Sequence, residues 1–182
     1  MATWEIRPEV PQDAPLIDSL VVRTFGPGRF TKSAWRLREG VSPVQGLSFV
    51  AIEGGVVRGS VRFWPIAVGH DRALLLGPLA VESDQRGRGI GIALMKRGIE
   101  EAGSRGHRAI LLVGDAPYYG RVGFASLAAG KVRLPGPVDP ARILGLELVP
   151  GALDALTGEI RRPRIDMQVC ADSAPLAPVG TT

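Results

Sequence analysis

The chain has 182 residues, a formal charge of +4 and 45% apolar residues, enough to bury the core of one domain without covalent or metal cross-links. One cysteine and two histidines exclude a disulfide framework and a clustered zinc site, so no metal is expected. The basic residues are dispersed among acidic ones and no apolar run reaches the ~18 residues of a membrane span. No nucleic-acid or membrane partner is therefore expected, a small anionic ligand suits the charge, and, with no leader-like pattern in MATWEIRPEVPQD, a cytoplasmic protein is expected.

In chain order, residues 4–7 read as a strand, and Asp13 stands where it would cap a helix carrying Leu16, Ile17, Leu20 and Val21. A short helix is expected around residues 33–38. The segment LSFVAIEGGVVRGSVRFWPIAV holds two β-rich runs about Gly54-Gly55, the signature of an antiparallel hairpin. Residues 73–81, ALLLGPLAV, are almost wholly apolar, as in a strand buried on both faces. Within that run Gly77-Pro78 predicts a bulge where pairing with the next strand lapses, because proline donates no ladder hydrogen bond; the backbone of Leu79, Ala80 and Val81 is then free for an extended amide-bearing ligand.

DQRGRGIGIALMKRGIEEAG follows, a helix with Gly91, Leu94, Met95, Gly98 and Ala102 on one arc, ended by Gly106. Residues 108–113 form a second apolar strand, so strand, helix and strand make a crossover unit with a parallel or near-parallel pair. A short helix at residues 116–122 and strands near 131–134 and 142–148 complete the elements. The organisation is one domain over 1–168 and a loose tail over 169–182.

Gly87, Gly89 and Gly91 crowd the start of that helix, although glycine costs roughly 1 kcal/mol per residue in a helix relative to alanine. The phosphate-binding loop that ends in Gly-Lys-Ser/Thr is absent. The dinucleotide pattern G-x-G-x-x-G fails as well, since Ile92 stands where its third glycine belongs. What remains is a turn whose amides, from Arg86 through Gly87, Arg88, Gly89 and Ile90 to Gly91, face an anion at the positive end of the helix dipole, with the two arginines adding charge.

The runs LGPLAVESDQRGRGIGIALM, ILLVGDAPYYGRVGF and LELVPGAL resemble the GNAT superfamily of acyl-CoA-dependent N-acyltransferases, above all its YhbS-like branch. Its Arg/Gln-x-x-Gly-x-Gly/Ala signature is met by Arg86, Gly89 and Gly91, and the order of elements is similar over most of residues 3–160. The resemblance implies an α/β fold of the α+β kind, a central mixed sheet with a splayed strand pair and flanking helices. It implies acetyl-CoA as cofactor, its pyrophosphate on the amides of 86–91 and its pantetheine arm on Leu79, Ala80 and Val81. It also implies that Tyr119, at the Tyr-x-x-x-Gly-Phe position before Phe124, protonates the leaving thiolate; Tyr118 is the neighbouring alternative, and Arg121 is within the reach of the phosphates.

The implied reaction is acetyl transfer to a primary amine of a small molecule or peptide by direct attack. Cys170, with no histidine beside it, is a poor nucleophile. One departure from the pattern stands out: many members carry a basic glutamate in the strand before the glycine loop, where this chain has Leu75. Asp115, Glu147 and His70 are the substitutes, alongside a water relay or an already neutral amine. The alternatives are an acyl-CoA-binding module without turnover and a nucleic-acid-binding protein. An acceptor pocket is expected between residues 25–35 and 126–155, with the acceptor's identity and the oligomeric state open, a homodimer included.

Overall fold

A computed structural model describes residues 3–28 and 33–164. Gly54 and Gly55 both take positive φ, 57° and 76°, which lets a two-residue turn follow the twist of its strands. On either side β2 (Phe49–Glu53) and β3 (Val56–Val68) pair antiparallel. β1 (Glu5–Pro8) adds to the outer edge of β2, and β4 (Asp71–Val81) to the other edge of β3. β5 (Ala109–Val113), β8 (Ile143–Glu147) and β6 (Ala125–Ser126) extend the sheet in the order β1-β2-β3-β4-β5-β8-β6. β9 (Gly158–Arg161) joins the end of β3 and carries β7 (Val132–Arg133).

Two features of β4 shape the middle of this sheet. Val61 faces Leu79 and Phe63 faces Leu76, so Arg62 alone opposes Gly77 and Pro78; the bulge stands at the proline but in the pairing with the preceding strand β3, which resumes over Leu79–Val81, rather than against the next strand. On its other edge β4 pairs in parallel with β5 only at Leu74–Ile110 and Leu75–Leu111, while β5 turns its remaining edge to β8 over its whole length. Past Leu75 the two strands part.

Helices cover both faces. α3 (Ile90–Ser104) buries Ile90, Gly91, Leu94, Met95, Gly98 and Ala102, the expected arc with Ile90 added, against Phe49, Phe63, Leu74 and Leu76. Gly98 is required there, since a Cβ would overlap the Phe63 ring. On the opposite face α1 (Ala14–Phe25) lays Ile17, Leu20 and Val21 on Val50, Val57 and Ala80. The same face continues under α2 (Ser33–Arg36) and α5 (Ala152–Ala155) as a cluster around Trp64, Ile66, Leu75 and Leu111. Burying each such large apolar side chain contributes ~1.5–3 kcal/mol.

Asp13 corrects one expectation. Its carboxylate does not reach the amides of α1 but accepts Val10 N at 2.9 Å and Arg7 Nη1 at 2.7 Å. The preceding chain makes a 3-10 turn over Pro11–Asp13, which turns the side chain back. The tail expected over 169–182, and Cys170 in it, lie outside the described residues. Among the described residues no helix is long and apolar enough to cross a membrane.

Candidate active site

The turn from β4 into α3 runs through a 3-10 turn over Ser83–Gln85 and then the glycines. Gly87 and Gly89 have φ of 81° and 82°, with open space where a Cβ would stand. Their need is conformational: only glycine adopts this left-handed backbone without strain. Gly89 is the N-cap of α3 and offers no side chain to its first amides, which leaves those donors and the positive dipole end for a ligand. Gly91 has a different reason. Its Cβ would collide with the Tyr118 hydroxyl and would touch Leu79 and Val81 at 3.6 Å.

A cavity of about 390 Å³ opens over this turn, lined by Leu79 and Val81 of β4, by Arg86, Gly87, Gly89, Ile90 and Gly91, and by Tyr118, Tyr119 and Arg121 across from them. Two of the expected ligands have side chains directed elsewhere. Ala80 is fully buried under α1, as strand alternation requires between Leu79 and Val81. Arg88, expected to add charge toward the anion, instead grips Glu53 through Nη2 and Nη1 at 2.8 and 3.1 Å and also donates to Gln85 Oε1. That pair holds the Glu53 carboxyl below the usual carboxylate range and ties the turn to the end of β2.

A second cavity of about 580 Å³ lies on the other side, walled by Trp35 and Arg38 near α2, by Gly77 and Pro78 of the bulge, by Val113, Gly114 and Asp115 after β5, and by Leu134, Val138, Asp139 and Arg142. The two cavities share Phe25, Leu79 and Tyr119. Tyr119 ends α4 (Ala116–Tyr119), which follows Asp115 as its N-cap and has a proline in its first turn, a position where the missing N–H costs nothing. Its ring lies against Gly114, where a Cβ would overlap it, and packs edge-on to Tyr118 at 5.1 Å and to Phe124 at 6.2 Å between centroids. Burial pushes the Tyr119 phenol up to about 12, with Tyr118 adding to the rise and Arg38 opposing it. Tyr118, half-buried, is raised by burial as well, and Arg121 works against that.

Of the substitutes for a base, only Asp115 lines a cavity; it is exposed at the rim. Glu147 accepts the amides of Gly151 and Leu153 and so caps α5. His70 is exposed in the β3–β4 turn, and Leu75 is buried in the core. Arg38 is the feature that sequence reasoning missed: a lone arginine in a segment of mixed chemistry has no periodic or motif signal. Arg142 entered only within the broad 126–155 segment.

The arrangement is a splayed parallel pair, an uncapped glycine-rich helix start beside it, and a partly buried phenol between two cavities. It suits an anion-bearing ligand with an extended tail that meets a second substrate at Tyr119. The acetyltransferase (GNAT) family model matches residues 15–124, and the chain belongs to this family; it is an acyl-CoA-dependent N-acetyltransferase. It is 34% identical to the N-acetyltransferase YhbS of Escherichia coli (strain K12) over 155 residues, 84% of this chain and 92% of that one. The crystal structure of Escherichia coli YhbS in complex with CoA superposes with a TM-score of 0.76 at 31% identity, covering 90% of this chain and 91% of the other. A GNAT family acetyltransferase from Brucella melitensis, in complex with acetyl-CoA, gives a TM-score of 0.60 at 29% identity, with 81% and 97% covered.

Proposed function

We propose that the chain transfers the acetyl group of acetyl-CoA to a primary amine of a small molecule or peptide by direct attack, with the donor in the smaller cavity and the acceptor in the larger. The observation that carries this reading is the wall the two cavities share, with Tyr119 in it. The smaller cavity fits the donor chemically: uncapped helix amides and Arg86 and Arg121 for phosphates, and the edge of β4 past Leu75, released by β5, for an amide-bearing arm. The complexes of the relatives with CoA and acetyl-CoA support a donor of this chemical class. When bound, the donor supplies an acetyl group already activated as a thioester. Action in the cytoplasm, beside that intracellular donor, belongs to the same proposal.

In this reading Tyr119 is the proton donor to the departing sulfur. Its raised pKa keeps the proton on Oη at every working pH. A buried thiolate is disfavoured for the same reason, so the shared desolvation keeps the transfer within reach of an otherwise weak acid. The carboxylates lining the acceptor cavity, Asp115 and Asp139, are exposed, and neither replaces the buried glutamate absent from β4. The amine therefore enters in its neutral form. The test is thiol release from acetyl-CoA over a panel of primary amines, with mass spectrometry of the acetylated amine. Release matched by amide formation is expected. Tight coenzyme A binding with no release for any amine would identify a binding module instead.

A further inference from the structure

The larger cavity holds a charge that acetyl transfer to an amine does not require. Arg38 lines it, and its Nε is buried without a hydrogen-bond partner. Its Cζ lies 5.7 Å from the Trp35 ring centroid and 6.0 Å from that of Trp64. Nη2 is 2.7 Å from where a Gly77 Cβ would stand, so the guanidinium occupies room that only glycine leaves. Trp64 is itself fixed, its indole N–H donating to Gly77 O at 2.5 Å. Aromatic faces attract a cation and hold a guanidinium plane, but they accept none of its N–H donors in the lone-pair sense. A buried donor left without a hydrogen-bonded partner costs free energy, and more so on a charged group.

No anion of the described residues answers it. Tyr119, the one group whose charge bears on Arg38, is neutral, and burial pushes Arg38 down to about 10, which leaves it protonated near pH 7. The carboxylates of the same cavity are at its rim: Asp139 accepts the amide of Ala141, and Asp115 is exposed. Arg142, the other cation there, donates to Gly114 O at 3.4 Å and is also exposed.

We propose that Arg38 binds a carboxylate on the acceptor, so that the substrate is a primary amine that also carries a carboxylate, as an amino acid does. The inference rests on the larger cavity being the acceptor's. A guanidinium fork matches a carboxylate with two parallel hydrogen bonds. A phosphate could use the same fork, but the two rim carboxylates oppose a dianion more strongly than a monoanion.

The experiment uses primary amines matched in three forms: carboxylate, carboxamide and phosphonate. For the wild type, kcat/KM for the carboxylate should exceed that for the carboxamide by roughly 30-fold or more, carried mainly by KM. Arg38→Gln should collapse this ratio toward one and Arg38→Lys should keep part of it. Equal use of carboxylate and carboxamide, a ratio untouched by Arg38→Gln, or preference for the phosphonate would overturn the proposal while leaving acetyl transfer standing. A second readout needs neither turnover nor a folded variant: calorimetry of the N-acetylated carboxylate and carboxamide products against the wild-type protein saturated with coenzyme A. The carboxylate should bind the tighter by a similar factor, and equal binding overturns the inference even where no amine releases thiol.

Discussion

Tyr119 and Tyr118 are adjacent, yet they stand in different surroundings. The Tyr118 hydroxyl lies over Gly91 at the start of α3, on the side of the smaller cavity, whereas Tyr119 lines both cavities. General acid catalysis commonly contributes ~10²- to 10⁴-fold, so Tyr119→Phe should lower kcat within that range and leave acetyl-CoA affinity nearly unchanged. Tyr118→Phe should cost kcat much less, and an equal or larger loss would mean that the other ring is the donor. The pH dependence follows from burial: the neutral phenol is the active form, and a pKa raised from 10.0 to about 12 delays its loss as pH rises. The kcat profile should stay level on its alkaline side to about pH 10, where a descending limb with an apparent pKa near the ordinary tyrosine value would contradict the assignment. Tyr119 was legible in the sequence as the candidate donor because its distance to Phe124 is local. Arg88 was not, because its partner Glu53 is 35 residues away, and a charge beside a glycine turn looks the same whether it faces a ligand or a neighbouring strand.

Among the elements, β4 and α3 were the most readable, for reasons that lie within each segment. Proline removes a donor wherever it stands, so the bulge at Gly77-Pro78 was fixed by composition, and the apolar arc of α3 repeats at helical spacing over four turns. The strand expected near 131–134 forms as the two-residue β7, whereas β6, of two residues, and the four-residue β9 are too short to show alternation and exist only through their pairing partners. The three glycines also looked alike in sequence, although two serve backbone conformation and the third a close contact. Gly89→Val should weaken coenzyme A binding at least about tenfold by straining the turn, whose φ of 82° a branched residue rarely adopts. Gly91→Val should do so by displacing Tyr118 and crowding Leu79 and Val81. Calorimetry on both folded variants checks this, and unchanged affinity in both would remove the turn from the donor site.

At the scale of the molecule, the departure of β4 from β5 opens the sheet, with α3 and its turn bordering the smaller cavity and the loops from α2 and β8 bordering the larger. Arg38 belongs to this scale. Its setting needs α2, the bulge and Trp64 of β3 to converge, which no local pattern announces. The division of labour between the cavities is the central claim, and steady-state kinetics with substrate-binding constants on two variants tests it most directly. Arg86→Glu/Arg121→Glu changes exposed residues that line only the smaller cavity, and Ala34→Trp fills only the larger. The charge reversal should raise the acetyl-CoA dissociation constant at least about tenfold with little change in the amine KM. Ala34→Trp should raise the amine KM by a similar factor with little change in acetyl-CoA affinity. Both variants weakening the same substrate, or the two effects appearing exchanged, would contradict the account.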